Sequence, residues 1–210
     1  MNRRVNRAAI VLATTSVLVF VGCSAPGAEP APTGPTETIE MRADYPVYST
    51  LDEAEKAAST IVKGKLLDSR VQLLYPDTSP TGGDDVENPQ SGVPSNEITP
   101  SDLAVVETVN RIEVTEVIKG ETKVGDTIEV AQPGGEHEQV KYTEENTVPL
   151  AEINSSETVL FLDLMPDGYY DLINPQQGVY TVDGDALTPT AENNTLGVRT
   201  LQQVREAASN

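Results

Sequence analysis

The first hydrophobic pattern along the chain is a charge-free run, Ala8–Val21, in which 14 mostly apolar residues follow Arg3, Arg4 and Arg7. As a helix it reaches roughly 21 Å, short of the roughly 30 Å hydrocarbon core of a bilayer. From Ser24 to Arg42 the pattern vanishes, and Pro26, Pro30, Pro32 and Pro35 interrupt any helix. Order is expected to begin near Ala43–Tyr48. The segment Ser49–Ser59 predicts a short helix. Ser49 or Thr50 can cap its free N–H groups, Asp52 and Glu53 suit its positive first turn, and Leu51, Ala54 and Ala58 fall near one face. Thr60–Leu67 predicts a strand whose interior Gly64 implies a bulge, a bend or a close backbone approach.

Periodicity fails again over Asp77–Thr99, which holds Pro80, Pro89, Pro94, Gly82, Gly83 and Gly92. A flexible insertion at 77–99 within one domain is the expectation, because the 30 or so residues before it are too few to form a core alone. Beyond it, period-two alternation marks strands at Leu103–Val109, Arg111–Val117 and Asp126–Val130, with turns at Ile118–Glu121 and Pro133-Gly134-Gly135. Glu157–Leu164 is the most hydrophobic stretch after residue 22, and its continuity predicts a central strand covered on both sides. Tyr169–Ile173 follows a Pro166-Asp167-Gly168 turn and ends at Asn174-Pro175. Asp183-Gly184 between Gly178–Val182 and Ala186–Thr188 is a strong hairpin signal. Thr200–Ala208 predicts a helix with Leu201, Val204 and Ala208 on its apolar face. About seven or eight short strands with two short helices, and no βαβ alternation, predict a mainly β fold. We expect a small mixed or antiparallel β-barrel of the oligonucleotide/oligosaccharide-binding (OB-like) type with peripheral helices, the alternative being a β-sandwich. Closure removes the free edges that short antiparallel strands otherwise expose.

Composition narrows the chemistry. The chain of 210 residues carries 14 Lys+Arg against 33 Asp+Glu, a net charge of −19, with one His, one Cys, no Trp, two Phe and seven Tyr. Nucleic acid is not an expected partner, since phosphate binding needs a concentrated basic surface. One Cys excludes an intramolecular disulfide and multi-thiolate metal sites, and one His excludes three-His zinc chemistry. No cofactor or metal is implied.

The polarity and length of the leader match a secretory signal rather than a membrane span. At its end Leu18-Val19-Phe20-Val21-Gly22-Cys23 places a small residue directly before the single Cys, and this resembles the lipobox of bacterial lipoproteins. The resemblance implies a lipoprotein signal peptide at 1–22, cleavage before Cys23, and acylation of Cys23, with a palmitate-type anchor in the membrane. Residues 23–42 then form a Pro-rich disordered tether of up to roughly 60 Å, and 43–208 a single β-rich domain. Loss of 1–22 removes three Arg and no acid, so the remaining chain carries 11 basic and 33 acidic residues, net −22.

Candidate chemistry is sparse. His137, in Gly134-Gly135-Glu136-His137-Glu138-Gln139, is expected on a solvent-facing loop and lies in no His-Glu-x-x-His motif. No Gly-x-Ser-x-Gly elbow or phosphate-cradling glycine loop is present. Asp84-Asp85-Val86-Glu87 and Asp163…Asp167…Asp171 offer hard oxygens, without the spacing of a calcium-binding loop. Tyr169, Tyr170 and Tyr180 are a possible ligand face on neighbouring strands, although Tyr also simply favours strands.

From about Leu51 to Gly184 the chain resembles a group of poorly characterised secreted proteins and lipoproteins of Gram-positive, especially actinobacterial, bacteria. The matching pieces are Leu51-Asp52-Glu53, Ile61-Val62-Lys63-Gly64, Val114–Gly120, Val124–Ile128, Gln132-Pro133-Gly134-Gly135, Val159–Leu162 and Gln177–Tyr180. The resemblance implies a small β-barrel-like domain and an extracytoplasmic, membrane-anchored location, and it brings no catalytic residues. The expected function is a noncatalytic binding or scaffolding module with an envelope protein or glycan as partner. The alternative is a carboxylate-dependent hydrolase acting on an envelope or extracellular substrate.

Overall fold

An apolar run with no polar alternation must be buried on both faces, and Thr158–Leu162 is, while Asp163 and Leu164 beyond it are exposed. In the computed structural model, which describes Gly34, residues 37–75 and residues 104–209, its Val159 and Phe161 enter one core while Leu160 and Leu162 enter another. The order of elements is β1 (Glu37–Met41), α1 (Leu51–Ala57), β2 (Thr60–Leu74), β3 (Val105–Lys119), β4 (Thr127–Pro133), β5 (Gly135–His137), β6 (Val140–Glu144), a 3-10 turn (Leu150–Glu152), β7 (Thr158–Leu164), β8 (Tyr170–Leu172), β9 (Val179–Asp183), β10 (Ala186–Pro189) and α2 (Leu201–Ala207).

Five strands form a partly closed ring. β7 pairs with β2, β2 with β3 and β3 with β4, all antiparallel; β4 pairs with β8 in parallel, and β8 returns antiparallel to β7. The cyclic order is first, second, third, fifth, fourth in the chain order of these strands, which is the Greek-key barrel of the OB-like type. The parallel seam is short, consisting of Val130↔Tyr170 and Ala131↔Asp171. The β9–β10 hairpin extends the sheet beyond β7, while β5, β6 and β1 make a small separate sheet in which β1 runs parallel to β6.

Two cores follow from this layout. The barrel interior holds Val62, Ile112, Val114, Ile128, Val130, Leu160, Leu162 and Val179, with Leu150 of the 3-10 turn packed among them. Outside the barrel, Ala54, Ile61, Phe161, Tyr180, Leu187, Leu201 and Val204 join both helices to the sheet. Both helices are capped as the sequence predicts. Thr50 Oγ1 accepts from the Glu53 amide at 3.2 Å, and Thr200 with Gln203 forms a reciprocal capping box.

Several boundaries differ from the sequence reading. Glu37–Met41 lies in the segment read as tether, yet it is strand β1: no Pro occurs between Pro35 and Pro46, and Thr38 and Ile39 suit an extended edge. The compact unit accordingly starts at Gly34 rather than residue 43. The two expected strands 103–109 and 111–117 are one strand, β3, because β2 runs on to Leu74 and pairs with it throughout. Gly64 is a site of both bulge and close approach. The pairing register shifts between Lys63 and Gly64, and a Cβ at Gly64 would overlap the Ile112 side chain and lie 3.0 Å from the Glu113 carbonyl oxygen. The expected insertion at 77–99 lies outside the described residues, as do the leader, Cys23 and most of the tether.

Candidate functional site

The chain leaves β4 through Gly134, whose φ of +105° places it in a conformation that L side chains rarely adopt. A Cβ there would also lie 2.8 Å from the Tyr142 carbonyl oxygen, so glycine lets the small sheet fold tightly against the barrel rim. The hairpin β5–β6 turns through Glu138 and Gln139, both at positive φ without being glycine. Between this hairpin, β4 and the loop ahead of the 3-10 turn lies a groove of about 550 Å³. Its lining includes Gln132, Glu136, Lys141, Tyr142, Glu144 and Glu152.

A fully satisfied polar network fixes one wall. Asn110 and Gln132 are buried side by side on β3 and β4, and Asn110 Nδ2 donates to Gln132 Oε1 at 3.1 Å. Ser69 Oγ donates to Asn110 Oδ1 at 2.7 Å. Gln132 Oε1 also accepts from the Leu150 amide at 2.9 Å, and its Nε2 donates to the Val148 carbonyl at 3.2 Å. Buried amides paired in this way rigidify their surroundings. Glu144, also buried, accepts from Thr147 Oγ1 at 2.7 Å and from the Asn146 amide at 3.0 Å, which holds the same loop.

Gln132, Pro133 and Thr147 also line a second cavity, of about 180 Å³, so the two adjoin. The second cavity has apolar walls in Leu74, Val105, Ala131, Leu172, Pro133 and Pro175. Its polar groups are Glu107, Asp171, Tyr45, Gln132 and Thr147. Glu107, 7% exposed, accepts from Gln72 Nε2 at 2.6 Å. Burial, then the charges of Glu107, Asp167 and Asp163, push the Asp171 carboxyl up to about 6. Burial and the charges of Glu144 and Asp171 raise the Tyr45 phenol, while Thr147 beside it acts the other way. The Tyr45 hydroxyl is buried and finds no partner at full hydrogen-bond geometry.

The residues singled out from the sequence are dispersed. Tyr169, Tyr170 and Tyr180 do not form a common face. Tyr180 is fully buried in the helix-side core, 6.0 Å from Phe161 between ring centroids, and bonds to Asn194. Tyr170 packs against the barrel core, and the Tyr169 hydroxyl accepts from Arg70 at 3.4 Å. Tyr170 and Tyr180 pack on opposite faces of the sheet, against the barrel core and in the helix-side core, which sequence spacing alone does not reveal. His137 is in strand β5 rather than a loop, with a side chain 37% exposed and 3.9 Å from Glu138, and it lines neither cavity. Asp163 and Asp171 are directly opposed on β7 and β8, while Asp167 in the turn accepts from the Tyr169 amide. Among the described residues no group of three or more His, Cys, Asp and Glu is arranged to hold a metal ion. Asp84–Glu87 lies outside the described residues.

The second cavity escaped the sequence reading because its polar groups come from residues 45, 107, 132, 147 and 171, with no shared local motif. No protein-family model matches the chain, and no curated protein matches it.

Proposed function

We propose that this chain is a noncatalytic binding module, anchored by an acyl group on Cys23 to the extracytoplasmic face of the cell membrane, that takes an envelope ligand in the cleft on the β3–β4 side of its barrel. The observation that carries this reading is the pair of adjoining cavities set against the Asn110–Gln132 network. OB-like barrels commonly use this face for ligands, a fold-level analogy that bears on location only. With a net charge of −19, the ligand is uncharged or cationic rather than polyanionic. The lipobox-like segment ending at Cys23 supports the anchor and, with it, the location.

Ala151 is exposed and lines the larger groove, so Ala151→Trp fills the groove without disturbing a core. The acylated chain, solubilised in mild detergent, is used to capture envelope proteins and glycans at high salt. A component retained by the unaltered chain and lost with Ala151→Trp is expected. Equal retention by both, or none by either, would overturn the reading.

One observation favours a second reading, a carboxylate-dependent hydrolase: Glu107 and Asp171 line one cavity, with Asp171 titrating near neutrality. Turnover of an envelope-derived substrate that disappears with Glu107→Gln and with Asp171→Asn would establish it in place of the binding module.

A further inference from the structure

The smaller cavity has an unusual combination of surfaces. Its walls are aliphatic, with Leu74 and Val105 both left 42% exposed at its rim. The same lining holds two carboxylates, Glu107, buried, and Asp171, half-buried, with the buried hydroxyl of Tyr45 lacking a well-formed hydrogen bond. Carboxylates withdrawn from water are normally paired with a cation. Neither of these is: among the described residues every Arg or Lys that makes an ion pair makes it elsewhere, as Arg70 does with Glu129, Lys63 with Glu157 and Lys119 with Glu55. Residues 76–103 contribute no Lys, Arg or His by sequence. The groups facing Asp171 from the surrounding elements are Glu107 on β3, Asp163 on β7, Asp167 in the β7–β8 turn and Tyr45, and none brings positive charge.

We propose that this cavity receives a primary alkylammonium group, the side chain of a lysine-type residue in a peptide or protein ligand, with its methylene stem against Leu74, Val105, Leu172 and Pro175 and its head at Glu107, Asp171 and Tyr45. An ammonium head has three donors and no acceptor, and these three side chains offer three acceptor groups. The stem gains from the aliphatic walls as it would along any apolar surface. The volume of about 180 Å³ is sufficient for one such side chain. The inference rests on the reading of the β3–β4 face as the ligand face and names the chemistry that enters its inner end.

The test uses the full chain with Nα-acetyl-lysine N-methylamide as probe, followed by NMR of the Asp171 side-chain carboxyl. Three results are expected together. Saturating probe lowers the Asp171 titration midpoint from about 6 by about one pH unit or more; affinity strengthens as pH rises from about 5 to about 7.5; and Glu107→Gln and Asp171→Asn each weaken binding about tenfold or more. The norleucine analogue, which keeps the stem and lacks the ammonium, does not bind. Equal binding of that analogue, a flat affinity across this pH range, or an equal midpoint shift with calcium alone would overturn the inference. Ala151→Trp keeps the two readings apart, since Ala151 lines only the larger groove. An envelope ligand lost in that variant while the lysine probe is inert on the unaltered chain sinks the ammonium pocket alone. A bound probe with no envelope ligand retained sinks the module.

Discussion

At the scale of single residues, Asp171 is a group that works against its own fold near neutral pH. It sits opposite Asp163 across the β7–β8 pair, and like charges directly opposed in a sheet destabilise it. Its carboxyl titrates at about 6 in the folded chain, above the ordinary 3.8, so the fold prefers the protonated form. Below about pH 4 both folded and unfolded chains carry the proton and no penalty exists. As pH rises from about 4 to about 6 the unfolded chain gives up the proton first and stability falls, and above about 6 it levels off. Asp171→Asn is therefore expected to raise stability on the order of 2 kcal/mol at about pH 8 and to leave it nearly unchanged at about pH 3. Urea unfolding at the two pH values measures this, and an equal gain at both would show that ionisation is not the cause. A residue that costs stability where the protein works is a candidate for function rather than architecture.

At the scale of elements, the barrel depends on β2 changing course at Gly64. Ile61 faces the helix-side core and Val62 the barrel core, as successive residues of one strand do, and the pairing with β3 shifts register beside them and again at Gly64. Gly64→Ala forces its new methyl into Ile112 and against the backbone of Glu113. A loss of about 1–3 kcal/mol is expected from this overpacking. Thermal unfolding reads it, and a paired Ile112→Leu change should recover part of it, since leucine lacks the Cγ2 methyl that the new Cβ meets. A Gly64→Ala chain as stable as the parent would show that the strand has room to bend elsewhere.

Elements are also where the sequence was most and least legible. β7 was readable because burial on two sides leaves an uninterrupted apolar run, and the β9–β10 hairpin because Asp183-Gly184 advertises its turn. The β5–β6 hairpin carried no such signal, for Glu138 and Gln139 adopt positive φ with side chains that seldom do so. β1 hid in a Pro-rich stretch because four of its five residues are exposed and so show little apolar spacing. The cleft was invisible for a different reason. Glu107 and Asp171 are 64 residues apart in sequence, and only the two-residue seam between β4 and β8 brings them to one cavity.

At the scale of the whole molecule, charge and anchoring act together. If the leader is removed at Cys23 the remaining chain carries a net −22, and an anionic membrane surface repels it rather than holding it. No described helix is long and apolar enough to cross a membrane, so among the described residues no helix supplies a second attachment. On the proposed reading, attachment rests on the acyl group alone. Cys23 precedes the compact unit, which begins at Gly34. Cys23→Ser is therefore expected to move the protein almost entirely from the membrane fraction to the soluble fraction, with the thermal midpoint of the domain unchanged. Because electrostatic adhesion is absent, lowering the ionic strength should not return it to the membrane, whereas a polybasic protein would rebind under the same conditions. Fractionation at low and high salt, followed by mass measurement of the N-terminal peptide, decides the matter. A variant that stays with the membrane at either salt, or a parent chain whose Cys23 carries no acyl mass, would mean that something other than this thiol holds the domain at the surface.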